Sequence, residues 1–139
     1  MVQAISKAVT VASLADIPFN SVMVDKLCDV TKTDVNTFTL NKCGVYLVHV
    51  DAVVSATSAA GGVVSFNLIV DDVVQQQAYT AETTADNTGL HAISFDTLVQ
   101  VDRCNNKCNC CNKPVRVSVR NTGVEALVTS ANIILRKVC

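Results

Sequence analysis

Apolar and polar residues alternate along most of this chain with a period of two. The longest such run spans residues 45–56, and its opposite side mixes apolar Leu47 and Val53 with His49 and Asp51. Alternation of this kind is typical of a β-strand that packs one face on a core. Because the second face is also partly apolar, we expect it to be covered as well, by another copy of the same chain. The residues predicted to face the core are Tyr46, Val48, Val50, Ala52 and Val54.

The same alternation predicts seven further strands, and no helical period persists for a useful length. Gly61-Gly62 is a turn signal, and Asp71-Asp72 predicts a two-residue hairpin turn. Residues 80–88 are polar and are predicted to form a loop. Strands at this spacing indicate an all-β antiparallel sandwich of the jelly-roll type. The eight predicted strands are 21–25, 36–41, 45–56, 63–70, 73–79, 90–101, 114–120 and 125–138.

The pattern also makes predictions for the two ends of the chain. Residues 1–19 carry short apolar runs that stop at Pro18, so we predict an N-terminal arm or edge strand there, followed by one domain over residues 20–139. In the last strand, one face is expected to hold Leu127, Thr129, Ala131, Ile133 and Leu135.

Composition narrows the class of protein. The chain has 139 residues, of which 50% are hydrophobic and 17% are charged, and its net charge is −1. A near-neutral charge provides no basic surface for nucleic acid, and no run approaches the roughly 18 apolar residues of a membrane span. The N-terminus does not resemble a secretory signal, so we expect synthesis and assembly in a cytoplasm. The large apolar fraction predicts buried contacts between subunits.

Several short motifs resemble one family of jelly rolls. The family is the tumour-necrosis-factor-like (TNF-like) jelly roll, in the bacterial form found at the C-terminus of Bacillus collagen-like exosporium glycoproteins. The likeness covers residues 20–138. The matching motifs are Phe38-x-Leu40, Cys43-Gly44-x-Tyr46-x-Val48, Gly62-Val-Val-Ser-Phe66-x-Leu-x-Val70-Asp-Asp, Leu98-Val-Gln-Val101, Val115-x-Val117-x-Val119-x-Asn121-x-Gly123 and Ala131-x-Ile133-Ile-Leu135.

The resemblance implies a compact homotrimer, since members of that family are homotrimers. In such a trimer, the sheet face turned away from the core packs on the neighbouring copies. The residues expected in that contact are Val63, Ile69, Val128 and Ile134. The chain departs from the family in two ways: it has no collagen-like Gly-X-Y stalk, and a cysteine-rich insertion replaces the short turn before Val115.

The insertion carries four thiols, and the chain has seven cysteines. Cys104, Cys108, Cys110 and Cys111 are candidate ligands for a structural zinc ion, which takes four cysteines in a tetrahedron. The adjacent pair Cys110-Cys111 does not suit a single ion. Disulfides formed after release from a reducing cytoplasm, or free thiols, are the alternatives. Seven cysteines cannot all pair within one chain. The further disulfide candidates are Cys28, Cys43 and Cys139, with Cys43 also interpreted as a small semi-buried residue.

The sequence holds no pattern typical of a catalytic site. His49 and His91 are the two histidines, and each is placed on a strand opposite the main core face. A hydrolase would need a nucleophile, a histidine and a carboxylate together, and no Gly-x-Ser-x-Gly motif is present. Asp71-Asp72 offers oxygen ligands for calcium, but a turn is the simpler interpretation. We therefore expect a protein that is not an enzyme and has no cofactor.

These observations favour a structural protein: a homotrimer that decorates the surface of a larger particle. The expected setting is a virion assembled in a host cytoplasm, where the protein serves as a bacteriophage capsid decoration or head-fibre subunit. Its partners would be itself and a major capsid or other shell protein, with neither nucleic acid nor membrane. Residues 2–19 are the candidate attachment arm. The alternatives are a spore-surface component and a module that binds a ligand or glycan through residues 80–88 or 102–113.

Overall fold

A computed structural model describes residues 1–25, 29–102 and 114–138. Within these ranges the chain contains β-strands and no helix, which confirms the predicted all-β class. Each of the eight predicted strands is present, although several boundaries differ. The strands are β1 Val2–Ser6, β2 Val9–Val11, β3 Ser21–Asp25, β4 Val30–Lys32, β5 Phe38–Leu40, β6 Gly44–Ala56, β7 Gly62–Val70, β8 Val73–Thr84, β9 His91–Val101, β10 Val115–Asn121 and β11 Ala126–Lys137.

The strands form two antiparallel sheets that pack face to face. Sheet A has the order β3-β1-β11-β6-β9, with β2 also paired to β11, and sheet B has the order β4-β5-β10-β7-β8. From β5 onward the chain crosses between the sheets at almost every connection, and only the β7–β8 hairpin stays within one sheet. This order of strands is that of a jelly-roll sandwich, as the spacing predicts.

The core lies between the sheets and contains the face predicted from the longest strand. The five predicted core residues of β6 are at most 3% exposed, and their outward neighbours are half-buried. From sheet B, Phe66 and Leu68 pack against them. At one end of the core the Phe19 and Phe38 rings meet edge to face, with their centroids 5.9 Å apart.

A bulge in β11 changes which residues face the core. The pairing of β11 with β6 shifts between Val128 and Ser130, so one extra residue is inserted and the alternation changes phase. Ala126 and Val128 are therefore fully buried, whereas Leu127 is 39% exposed. The prediction that Leu127 and Thr129 share the core face with Ala131 is wrong for this reason, while Ile133 and Leu135 are buried as expected.

The β7–β8 hairpin has the predicted two-residue turn. Val70 pairs with Val73 across Asp71 and Asp72. Both aspartates have positive φ, 48° and 67°, which is the backbone that a type I′ turn requires. The predicted loop over residues 80–88 begins later than expected, because β8 extends to Thr84.

The first 19 residues are built into both sheets. β1 lies between β3 and β11, so it is not an edge strand. Farther along, the amide of Ile17 donates to the carbonyl of Val119 in β10 at 2.8 Å. Ile17 and Phe19 are fully buried. Residues 1–19 therefore do not form an arm that stands away from the domain.

Candidate interaction face

The side of sheet A that points away from the core is a continuous surface, here called the outer face. The register across β9, β6 and β11 places its side chains in parallel rows. One row holds Leu98, Leu47 and Arg136, and the next holds Asp96, His49 and Ile134. Leu98 is 63% exposed, while Leu47 and Ile134 are half-buried by their neighbours in the sheet. The outer face thus presents accessible apolar side chains next to a polar row.

The polar side chains of the outer face form one network that crosses four adjacent strands. His49 Nδ1 lies 2.6 Å from Asp96 Oδ1, and His49 Nε2 lies 2.9 Å from Asp51 Oδ2. The Asn132 amide donates to Asp51 at 3.0 Å, and the Gln3 amide donates to Asn132 at 3.0 Å. Because these residues come from β1, β11, β6 and β9, the network fixes the side-chain positions in the middle of the face.

The two carboxylates control the protonation of His49. Partial burial lowers the pKa of the ring, but the hydrogen bonds and negative charges of Asp96 and Asp51 outweigh burial and raise the pKa above its ordinary value. A raised pKa favours the imidazolium, which donates from both ring nitrogens. His49 is therefore held as a cation between two anions over a wider pH range than a free histidine.

This arrangement does not suit acid–base catalysis. A histidine that activates a nucleophile needs one ring nitrogen directed at that nucleophile. Here Asp96 and Asp51 occupy both nitrogens of His49. The second histidine, His91, has its Nδ1 3.6 Å from Glu82 Oε1. In the described part of the chain, each ring therefore lies next to a carboxylate.

Comparison with solved structures shows what this geometry resembles. The globular domain of zebrafish complement 1qA protein is 12% identical to this chain and has a TM-score of 0.64. The match covers 99% of this chain and 97% of the complement domain. Eiger TNF from S. frugiperda is 15% identical over 99% of this chain and 92% of its own, with a TM-score of 0.64. Murine APRIL at pH 5.0 is 6% identical to this chain, with a TM-score of 0.63, and the match covers 99% of this chain and 98% of the APRIL chain.

The chain has the TNF/C1q-like jelly-roll fold. No family model and no curated protein sequence matches it. The TNF-like fold expected from the sequence motifs is therefore confirmed by structure, and the more specific likeness to exosporium glycoproteins stays a prediction.

In this TNF/C1q-like domain, the opposite outward surface, on sheet B, carries ion pairs and hydrogen bonds at β10 and the turn after it. The Arg120 guanidinium donates to Asp16 at 2.9 Å, and Arg116 donates to Asp72 at 2.9 Å. The Thr122 hydroxyl donates to Asn67 at 2.7 Å. These groups already satisfy one another. On the neighbouring strands β7 and β8, Val63, Val73 and Tyr79 are 46%, 61% and 54% exposed, so sheet B also has accessible apolar side chains. Asp71 and Asp72 belong to this arrangement as turn residues that bond to Arg116.

A shallow groove on sheet B lies beside two of these exposed side chains. It is lined by Val63, Asn67, Gln76 and Tyr79 among others, and the Tyr79 ring is 54% exposed. Sequence analysis did not identify this groove, because Tyr79 was predicted to end a strand, whereas β8 continues past it. An exposed aromatic ring beside amide side chains is the main feature there.

The four predicted subunit-contact residues occupy different environments. Val128 lies in the core because of the β11 bulge, and Ile69 is 2% exposed and lines a small cavity with Asp16 and Arg116. These two side chains are buried within one protomer and offer no surface to a partner. Val63 is 46% exposed, on sheet B, and Ile134 is half-buried, on the outer face. A subunit contact at Val63 and Ile134 stays a prediction.

Most of the predicted cysteine chemistry falls outside the described ranges. Cys28, Cys104, Cys108, Cys110, Cys111 and Cys139 lie there, so the zinc and disulfide hypotheses stay predictions. Cys43 is described: it is partly buried, and it precedes β6 as expected. No helix in the described part of the chain is long and apolar enough to cross a membrane.

Proposed function

We propose that this protein is a non-enzymatic structural subunit that assembles as a homotrimer through the outer face of sheet A. The observation that carries the proposal is the set of accessible apolar side chains on that face, with Leu98 at its most exposed point. On sheet B, the outward polar side chains at and just after β10 are already engaged in ion pairs and hydrogen bonds with residues of the same chain. An apolar sheet face favours contact with another protein surface, and three copies related by a threefold axis would each turn this face toward the other two.

The particle-decoration role follows from this assembly as a further step of the proposal. A trimer of compact heads fits a threefold position on a shell, so the proposed partner is a major capsid or other shell protein and the proposed location is a virion surface. A spore surface is the alternative location. Residues 1–19 are integral to the domain, so attachment would use the outside of the folded trimer. Binding of purified protein to undecorated shells tests this role, and failure to bind at micromolar concentration would contradict it.

The assembly is tested by placing a charge at the most exposed apolar position of the proposed contact. Complete burial of a leucine side chain contributes about 1.5–3 kcal/mol, and Leu98 retains 63% of its exposure for a partner to cover. The loss is therefore about 1–2 kcal/mol per copy before the cost of burying a carboxylate is added. We expect the wild type to be trimeric and Leu98→Asp to be monomeric in sedimentation-velocity runs at about 10–50 μM. Specific contacts of this kind persist at roughly micromolar concentrations.

The chain provides a control in Val73. This valine is 61% exposed and lies on β8, in sheet B, so it is outside the outer face. Val73→Asp introduces the same charge at nearly the same exposure, so it should remain trimeric. A monomeric wild type at these concentrations would refute the homotrimer, and a trimeric Leu98→Asp would refute the assignment of the contact to the outer face.

A ligand-binding module is the second candidate, and the groove beside Tyr79 favours it. Exposed aromatic rings stack on the apolar faces of sugars, and the neighbouring exposed amide of Gln76 can bond to hydroxyl groups. In a trimer built on sheet A, this groove would remain on the outside. Binding to a glycan array that is lost in Tyr79→Ala would support this function, and no binding by the wild type would exclude it for the sugars on the array.

A further inference from the structure

We infer that self-association of this protein is coupled to protonation of His49, so that the contact between copies strengthens at low pH and weakens at high pH. This inference rests on the proposed function, because His49 occupies the middle of the outer face through which the copies meet. It assigns a role to a residue that composition and motifs leave unexplained.

The hydrogen bonds of His49 are complete in one protonation state only. Carboxylate oxygens of Asp96 and Asp51 lie 2.6 Å and 2.9 Å from its two ring nitrogens. The imidazolium carries an N–H on each nitrogen and donates to both carboxylates. Neutral imidazole has one N–H, so its second nitrogen would direct a lone pair at a carboxylate. Deprotonation therefore disrupts the network that orders the face.

Protonation also sets the charge that assembly would bury. The charged groups facing the same side around His49 are Asp51 on β6, Asp96 on β9 and Arg136 on β11, while β1 contributes the uncharged Gln3. With His49 protonated, the two cations balance the two carboxylates. With His49 neutral, the face is negative, and a trimer would bring three such negative faces together. Removing unbalanced charge from water opposes association.

The direction of the pH effect follows from proton linkage. Asp96 and Asp51 raise the pKa of His49 in the folded protomer, and burial of the balanced cluster would favour the protonated form further. The associated state then binds more protons than the free state, so the association constant falls as pH rises through the titration of His49. If the pKa of His49 rose by about one unit in each of the three copies on assembly, the association constant of the trimer would change by about a thousandfold.

One competing effect has to be separated from this coupling. The isoelectric point calculated from the sequence is about 6.0, so loss of net charge alone would favour association near pH 6. The chain contains two histidines, and the second one supplies the control. His91 is half-buried near Glu82 and pairs with Val54, a core residue of β6, so its side chain does not belong to the outer face.

The experiment compares His49→Gln with His91→Gln, two substitutions of identical composition. Trimer association constants are measured by sedimentation equilibrium between about pH 5.5 and pH 8.5, roughly one unit below and two units above an ordinary histidine pKa. We expect the wild type and His91→Gln to weaken at least about tenfold over this range, and His49→Gln to change much less. Asp96→Asn serves as a further variant. This substitution should reduce the pH dependence of the association constant and lower the pKa of His49, which an NMR titration of the ring measures. Circular dichroism confirms that each variant is folded.

Each outcome bears on a different statement. A wild-type trimer whose association constant does not change with pH, or a dependence that is fully retained in His49→Gln, would overturn the coupling and leave the homotrimer standing. A protein that is monomeric throughout the range would overturn the homotrimer, and the coupling with it.

Discussion

Asn121 is expected to be the most important single polar side chain for stability in the described part of the fold. It ends β10 and is fully buried. Its amide nitrogen donates to the carbonyls of Val11 and Val124 at 3.0 Å and 2.9 Å, and its oxygen accepts from the Gly123 amide at 3.0 Å. One side chain thus joins the end of β2 to the turn that follows β10.

The cost of removing these bonds can be worked out from the structure. Three hydrogen bonds at about 1 kcal/mol each give about 3 kcal/mol for Asn121→Ala. The buried carbonyls of Val11 and Val124 lose a donor, which adds about 1 kcal/mol or more if no water replaces it. The total of about 3–5 kcal/mol is a large part of the 5–15 kcal/mol that typically stabilises a domain.

Urea denaturation followed by far-UV circular dichroism measures this effect, since the chain has no tryptophan to report by fluorescence. Protein concentration is held constant because assembly would contribute to apparent stability. Asn87→Ala is the control: Asn87 is exposed in the loop after β8 and should change stability by less than about 0.5 kcal/mol. If the two variants unfold at the same urea concentration, Asn121 does not hold the N-terminal segment as we argue.

Two further predictions test the geometry of the fold. The β11 bulge buries Val128 and exposes Leu127. Val128→Asp should therefore fail to fold, because it buries an unpaired carboxylate, whereas Leu127→Asp should keep a native circular dichroism spectrum. The reverse result would exclude the bulge. At Gly123, an added Cβ would lie 2.2 Å from the carbonyl oxygen of Val63 and 2.7 Å from the amide nitrogen of Ser65, so Gly123→Ala should lose about 1–3 kcal/mol in urea titrations. Gly89→Ala, whose Cβ would first meet the His91 ring at 3.2 Å, should lose less, and equal losses would contradict the close approach.

The sequence alone was enough for the fold class and for most of the core. Alternation with period two identified the core face of β6 because that strand is long and regular, so each inward position repeats the same environment. The Asp71-Asp72 turn was also predictable, because a two-residue connection between apolar runs restricts the backbone to a few turn types.

The outer face was predictable in part. The mixed composition of the outward side of β6 indicated that it needs cover, and His49 and Asp51 were both placed there. Their partners were not predicted, because Asp96 and Asn132 are distant in sequence and come together only through the register of β9 and β11 with β6. A network of cross-strand contacts depends on pairing that no local pattern contains.

Tertiary structure alone decided the phase of β11 and the place of the first 19 residues. The bulge at Val128–Ser130 inserts one residue, and the alternation of apolar and polar residues along the strand does not predict where that insertion lies. Residues 1–19 resemble an arm in sequence because their apolar runs are short, yet β1 is held by pairing with strands at both flanks. The sequence determined which residues prefer a buried sheet face, whereas the register between distant strands determined which of them share a face, since hydrogen bonding between strands is a non-local interaction.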